Sequence, residues 1–101
     1  MIYGGLEIQF EDRVLAHLQL VIGTKLRRSE RFFLSWRDTE QSDEGRTTLW
    51  IDPSIPLIFR YKGDTMPSIN RQWLDHLMQS SNSAQGLFLS DEPTDAAEQR
   101  P

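Results

Sequence analysis

Residues 31–62, RFFLSWRDTEQSDEGRTTLWIDPSIPLIFRYK, decide the fold. Three short runs in this stretch alternate with period two. Phe32, Leu34 and Trp36 oppose Phe33, Ser35 and Arg37; Thr47, Leu49 and Ile51 oppose Thr48, Trp50 and Asp52; Leu57, Phe59 and Tyr61 oppose Ile58, Arg60 and Lys62. Because successive side chains of a strand point to opposite faces, this pattern predicts a three-strand antiparallel meander whose first set forms the core face. The polar, acidic and glycine-terminated segment DTEQSDEG (38–45) suits a hairpin connection. Asp52-Pro53-Ser54-Ile55-Pro56 is a turn, since proline lacks the N–H that a ladder needs.

Outward from the meander, the flanking segments supply what covers it. At the start of the chain Gly4-Gly5 separates two short runs, and Leu6, Ile8 and Phe10 alternate with Glu7 and Gln9, which predicts a glycine-turned hairpin. Asp12 stands where a helix N-cap belongs. Val14, Leu15, Leu18, Val21, Ile22 and Leu26 then recur at helical spacing, with Gly23 or Arg27 as the end. Beyond the meander, Asn70 predicts a second N-cap, with Ile69 spaced to staple onto Leu74, before the stripe Trp73, Leu74, Leu77 and Met78. SSNSAQG ends that helix, and Leu87-Phe88-Leu89 predicts one more short strand. The expected fold is α+β, in the order ββαβββαβ: a mostly antiparallel sheet made of an N-terminal hairpin, the three-strand meander and a short C-terminal strand, with two helices packed on one face.

Length and composition limit function. The 101 residues predict a single domain over 1–90, followed by an aromatic-free acidic tail, 91–101, expected to be disordered. That tail carries net −3 of the formal −4, so the domain is nearly neutral. Cysteine is absent, which excludes disulfides, thiolate metal sites and a cysteine nucleophile. No apolar run is long enough to cross a bilayer and no leader is apparent, so no membrane contact and a cytoplasmic location are expected.

The second face of the meander is the candidate working surface. Phe33, Arg37, Trp50, Ile58, Arg60 and Lys62 mix aromatic, aliphatic and basic groups there, a set that fits a partner-binding surface. Two occupants are compatible with it. The apolar groups can be covered by a terminal segment, a protein partner or a second copy of the chain; alternatively, aromatics stack on bases while arginine and lysine hold phosphates. Lys25, Arg27, Arg28 and Arg31, against the single Glu30, form a second basic candidate. Metal chemistry has little to stand on. His17 and His76 lie on separate helices and read as rim or surface residues, so no metal and no cofactor are expected. The acidic loop fails as a calcium loop, its glycine being eighth and its twelfth residue Leu49. No phosphate-cradling glycine loop, nucleophile elbow or zinc-helix motif is present.

The segments YGG, EDRVLAHLQLVIGTKLRRSERFFLSW, LWIDPSIPLIFRYKG and NRQWLDHLMQSSNSAQGL resemble those of a family of bacterial proteins of about 100 residues whose function is uncharacterised. The likeness covers residues 3 to 90, and some members carry the label ATP-dependent DNA ligase. Such ligases adenylate the lysine of a K-x-D-G motif; the nearest match here, Lys62-Gly63-Asp64-Thr65, departs at its last position. The strands a nucleotidyltransferase needs to hold ATP do not fit beside those already assigned. The resemblance therefore implies no catalytic residues. The sequence reading is a non-enzymatic interaction domain that binds a protein or itself, with nucleic-acid binding as the alternative.

Overall fold

The computed structural model describes residues 1–38 and 45–93. Of the expected acidic loop 38–45, residues 39–44, and of the expected tail 91–101, residues 94–101, lie outside the described residues. The elements follow the expected order: β1 (Ile2–Tyr3), β2 (Leu6–Glu7), α1 (Asp12–Arg27), β3 (Phe32–Arg37), β4 (Arg46–Ile51), β5 (Leu57–Ile58), α2 (Arg71–Ser81) and β6 (Leu87–Phe88). Gly4 and Gly5 turn the first hairpin with φ of 55° and 90°, the positive values that a two-residue turn requires. The fold is α+β and mostly antiparallel.

The strands divide into two sheets, β2-β1-β5 and β4-β3-β6. The third run of the meander has left the second, because Leu57 and Ile58 pair with Tyr3 and Ile2 of β1. The physical cause lies in the turn before it. Pro53 and Pro56 offer no N–H, Ser54 N donates to Asp52 Oδ1, and the Pro56 carbonyl accepts from Gly4 N, so the chain is delivered to β1 and not back to β4. Where β5 would have lain against β4, Tyr3 stands instead: its hydroxyl donates to the Trp50 carbonyl at 2.7 Å and accepts from Asp52 N at 2.9 Å. At the far side of β3, β6 adds in parallel, Leu34 beside Leu87 and Ser35 beside Phe88.

One core lies beneath. Leu15, Leu18, Val21 and Ile22 of α1 meet Trp73 and Leu77 of α2, Phe32, Leu34 and Ile51 of the second sheet, Leu87 of β6, and Met1 and Tyr3. The expected inner set is confirmed, with Trp36, Leu49, Leu57, Phe59 and Tyr61 at its half-buried margin. α1 runs through Gly23 to Arg27. It ends in a left-handed Ser29 (φ 60°), after which Ser29 N bonds the Leu26 carbonyl and Glu30 N bonds the Lys25 carbonyl. Asn70 caps α2 as expected, accepting from Trp73 N, while Ile69 remains exposed.

Three side chains differ from expectation. Asp12 does not cap α1. The cap is Glu11, with no side-chain bond, and the Asp12 carboxylate turns outward to accept from Lys62 N and Gly63 N, both at 2.9 Å. Two converging backbone donors hold a carboxylate better than the single one a cap offers, and they lower its pKa. His17 is fully buried and not at a rim. Its Nε2 accepts from Asn70 N and its Nδ1 therefore donates to the Arg13 carbonyl, both at 2.8 Å, with Trp73 against the ring. Glu92, assigned by composition to the tail, is bound into the fold. Arg13 clamps it through Nε and Nη2 at 2.8 and 2.6 Å, and Asn70 Nδ2 donates to it at 2.8 Å. Among the described residues no helix is long and apolar enough to cross a membrane.

The Arg13 guanidinium and the Asn70 amide bring the Glu92 pKa from 4.5 to about 2. A depressed carboxylate contributes stability that is present above its unfolded pKa and lost as pH falls toward the folded one. The wild-type chain should therefore exceed Glu92→Gln in melting temperature at pH 6–7, and the gap should close as pH falls from about 4.5 to about 2. Thermal melts of the two chains at stepped pH check this; a gap independent of pH would show that the charge of Glu92 does not matter.

Candidate functional site

Among the described residues no helix covers the outer face of the β4-β3-β6 sheet. Its geometry follows from the ladder. Phe32 to Arg37 pairs without interruption with Ile51 to Arg46, and Asp38 N bonds the Gly45 carbonyl. The even positions of β3 thus share hydrogen-bonded pairs with the odd positions of β4. Phe33–Trp50, Ser35–Thr48 and Arg37–Arg46 are the non-bonded pairs, the geometry in which facing side chains approach most closely. All three lie on the outer face, where Ser35 is buried and the other five side chains are partly or fully exposed.

Each pair uses that closeness differently. Phe33 and Trp50 meet edge to face at 4.8 Å between centroids, yet remain 43% and 47% exposed. Ser35 Oγ and Thr48 Oγ1 share a hydrogen bond of 3.0 Å. Arg37 and Arg46 place two like charges opposite one another, an arrangement that costs stability. Arg46 relieves part of it by lying 5.7 Å over the Phe88 ring, which β6 brings up beside Ser35. Neither arginine has an ion pair among the described residues.

β6 reaches this position because of one glycine. Gly86 adopts φ of 91°, and a Cβ there would stand 2.5 Å from the Phe33 carbonyl oxygen. The same loop forms one wall of a cleft of about 290 Å³ beside the aromatic pair, lined also by Arg31, Lys25, Asn82 and Ser83. A larger cleft of about 640 Å³ lies at the other end of β3, where Arg37 forms its rim together with Trp36, Phe10, Trp73, Arg13 and Glu92. Arg13 is already saturated there by Glu92 and by Ser68, whose carbonyl and hydroxyl both accept from Nη1.

The structure therefore assembles part of the expected surface. Phe33, Arg37 and Trp50 share one face. Ile58 belongs to the other sheet, and Arg60 and Lys62 lie beyond β5, because the meander divides. In their place stand Arg46, Thr48 and Phe88. Arg46 was legible as the register partner of Arg37; Phe88 depended on a parallel pairing that no local pattern announces.

The basic run is mostly paired within the chain. Lys25 is buried, with Nζ 2.8 Å from Glu30 and 2.9 Å from Asn82 Oδ1, and over Phe32. Arg28 also reaches Glu30, at 3.7 Å, and Arg31 pairs with Asp52 at 3.0 Å. Lys25 and then Arg28 hold the Glu30 pKa down, and Asp52 is lowered by the Ser54 amide and hydroxyl and then by Arg31. Only Arg27 of the four is without an ion pair among the described residues. His76 is exposed, as expected. Among the described residues no three potential metal ligands cluster.

With this geometry in hand, comparison with known proteins gives one match. Residues 1–92 fit the family described as a domain of unknown function, DUF7882, and the chain belongs to it. The match runs through Glu92. No curated protein and no solved structure matches the chain.

Gly86→Ala tests how β6 is seated. The variant combines a disfavoured backbone conformation with a collision against backbone, and should lose about 2 kcal/mol or more of stability. Urea unfolding followed by tryptophan fluorescence measures it; a loss below about 0.5 kcal/mol would mean that β6 is not held against Phe33 as described.

Proposed function

We propose that this member of the family is a non-enzymatic interaction domain that holds a protein partner against the outer face of the β4-β3-β6 sheet. One observation carries the reading: Phe33 and Trp50 pack on each other and not on the core, nearly half exposed, on a face that no helix among the described residues covers. Aromatic residues and arginine are the groups enriched in protein interfaces, and Phe33, Trp50, Phe88, Arg37 and Arg46 are that set. The aromatic pair supplies the anchors and the arginines supply the rim.

Support for a non-enzymatic role comes from how the reactive groups are engaged. Both ring nitrogens of His17 are bound to main-chain groups, and Ser35 Oγ faces a threonine hydroxyl. The ligase activity that the sequence resemblance brings to mind would require adenylation of a lysine such as Lys62. Incubation with labelled ATP and magnesium tests that directly, and an adduct lost in Lys62→Ala would establish it.

A second reading has its own observation. Arg37 opposite Arg46, with no carboxylate on the strand residues of that face, favours an anionic partner with planar groups, which describes single-stranded nucleic acid. Two phosphates neutralised by this pair would give a logarithmic salt slope of about −1.4.

One experiment separates the two. Phe33 replaced by benzoylphenylalanine and irradiated in cells expressing the chain should give a protein adduct of defined mass. Trp50→Ala should weaken that association by about tenfold or more while changing folding stability by less than about 1 kcal/mol. Absence of any protein adduct, together with oligonucleotide polarisation that follows the expected salt slope, would replace the protein reading with the nucleic-acid one.

A further inference from the structure

The outer face is one unpartnered surface of the second sheet; its edge is another. Trp50 gives its carbonyl to Tyr3 and Asp52 gives its N–H to the same hydroxyl, so these two positions of β4 point away from β3. By the two-residue period Thr48 and Arg46 point the same way. Their outward amides and carbonyls, and the Trp50 N–H, bond to no described residue. No described strand pairs with β4 on that side, since the sheet order ends there.

The opposite edge of the sheet is closed. Ser80 Oγ accepts from Phe88 N at 3.1 Å, covering β6 with a side chain of α2. Among the described residues nothing protects β4 comparably over residues 46–49. Its register with β3 contains no bulge, and it holds no proline and no inward-pointing charge. These are among the devices by which monomeric sheets block edge pairing, and the one charge β4 does carry, Arg46, is on the outer face.

We propose that this edge pairs with the same edge of a second copy of the chain, antiparallel about Thr48. The register is set by self-complementarity. With Thr48 on the two-fold axis, Thr48 exchanges two hydrogen bonds with its counterpart and each Trp50 N–H reaches the Arg46 carbonyl of the second copy, while the Trp50 carbonyl stays with Tyr3, which ends the new ladder there. On the outer face Trp50 then stands beside the other copy's Arg46, a cation–π pairing made twice, and on the inner face Leu49 meets Thr47. A shift of one residue, centring on Thr47, would set Leu49 against Gly45 and leave Trp50 without a strand partner. The pairing also gives Arg46, pressed against Arg37, a second aromatic surface. The product is one six-stranded sheet, β6-β3-β4 continued by β4-β3-β6, with two aromatic faces on the same side.

This inference does not require the partner reading above; the two share Trp50 and Arg46, and Phe33, on the central strand and away from the edge, tells them apart. Sedimentation equilibrium between about 10 µM and about 1 mM should show mass rising from 11.8 kDa toward twice that value. Over the same range, hydrogen exchange at the Thr48 and Trp50 amides should slow by about tenfold, while exposed amides elsewhere stay unchanged. Thr48→Pro removes an N–H that the β3 ladder does not use, and should weaken the dimer by about tenfold or more. Phe33→Ala should leave it intact. A chain that stays at 11.8 kDa, or Thr48 and Trp50 amides whose exchange ignores concentration, would overturn the proposal, and the wild-type exchange measurement holds even if Thr48→Pro folds poorly. A dimer dissociated by Phe33→Ala and untouched by Thr48→Pro would also overturn it, placing self-association on the aromatic face and leaving the partner reading standing.

Discussion

The hydroxyl of Tyr3 occupies the place where a third meander strand would have paired with β4. It satisfies the Trp50 carbonyl and the Asp52 amide together, and so does with one side chain what two ladder bonds would have done. Buried backbone groups must be paired by something. Once they are paired by a tyrosine from β1, β5 is free to complete β1's own sheet, and β4 becomes an edge. The two-sheet architecture, the open stretch of β4 and the bare outer face all descend from that substitution of a side chain for a strand.

Most of the element order was readable because it rests on local signals. Period-two alternation marked β3 and β4, glycines marked the first turn, Asn70 marked the start of α2, and the apolar stripe marked α1. Pairing between distant segments was not readable in the same way. Leu57-Phe59-Tyr61 alternates as a strand of the meander should, but alternation names the buried face and not the neighbour. Only Leu57 and Ile58 enter a ladder, and they do so with β1, 55 positions or so away in the chain. The proline pair that redirects them was visible; its consequence depended on Gly4 and Tyr3.

The same limit explains the side chains that differ from expectation. His17 follows Val14 and precedes Val21 on the helical stripe, so its burial was implied by spacing, but its two bonds run to the main chain at Arg13 and Asn70, and the second of these is set by how α1 meets α2. Glu92 sits in a stretch whose composition reads as solvated tail. Its partners, Arg13 and Asn70, are brought to it by the fold alone. On the candidate face, Phe33, Trp50 and Arg37 were found because they belong to strands with strong alternation; Phe88 lies in the short strand expected at 87–89, but nothing local announces that this strand pairs in parallel with β3 and brings Phe88 to the face.

Charge sharpens what the outer face can be. An acidic chain, net −4, places two arginines across from one another where strands approach most closely, while in the basic run Lys25 and Arg28 pair with Glu30 and Arg31 with Asp52. A like-charge pair in that geometry opposes folding by a few tenths of a kcal/mol to about 1 kcal/mol. Phe88 under Arg46 offsets part of it. The cost falls on the same face as the exposed aromatic pair, so two departures from ordinary surface chemistry coincide on one patch of a sheet that is otherwise well packed. Folding gains only the contact of the two rings with each other from the first and loses by the second. Contact with a second surface would gain from both, since it would bury the rings and give the guanidinium groups something to face.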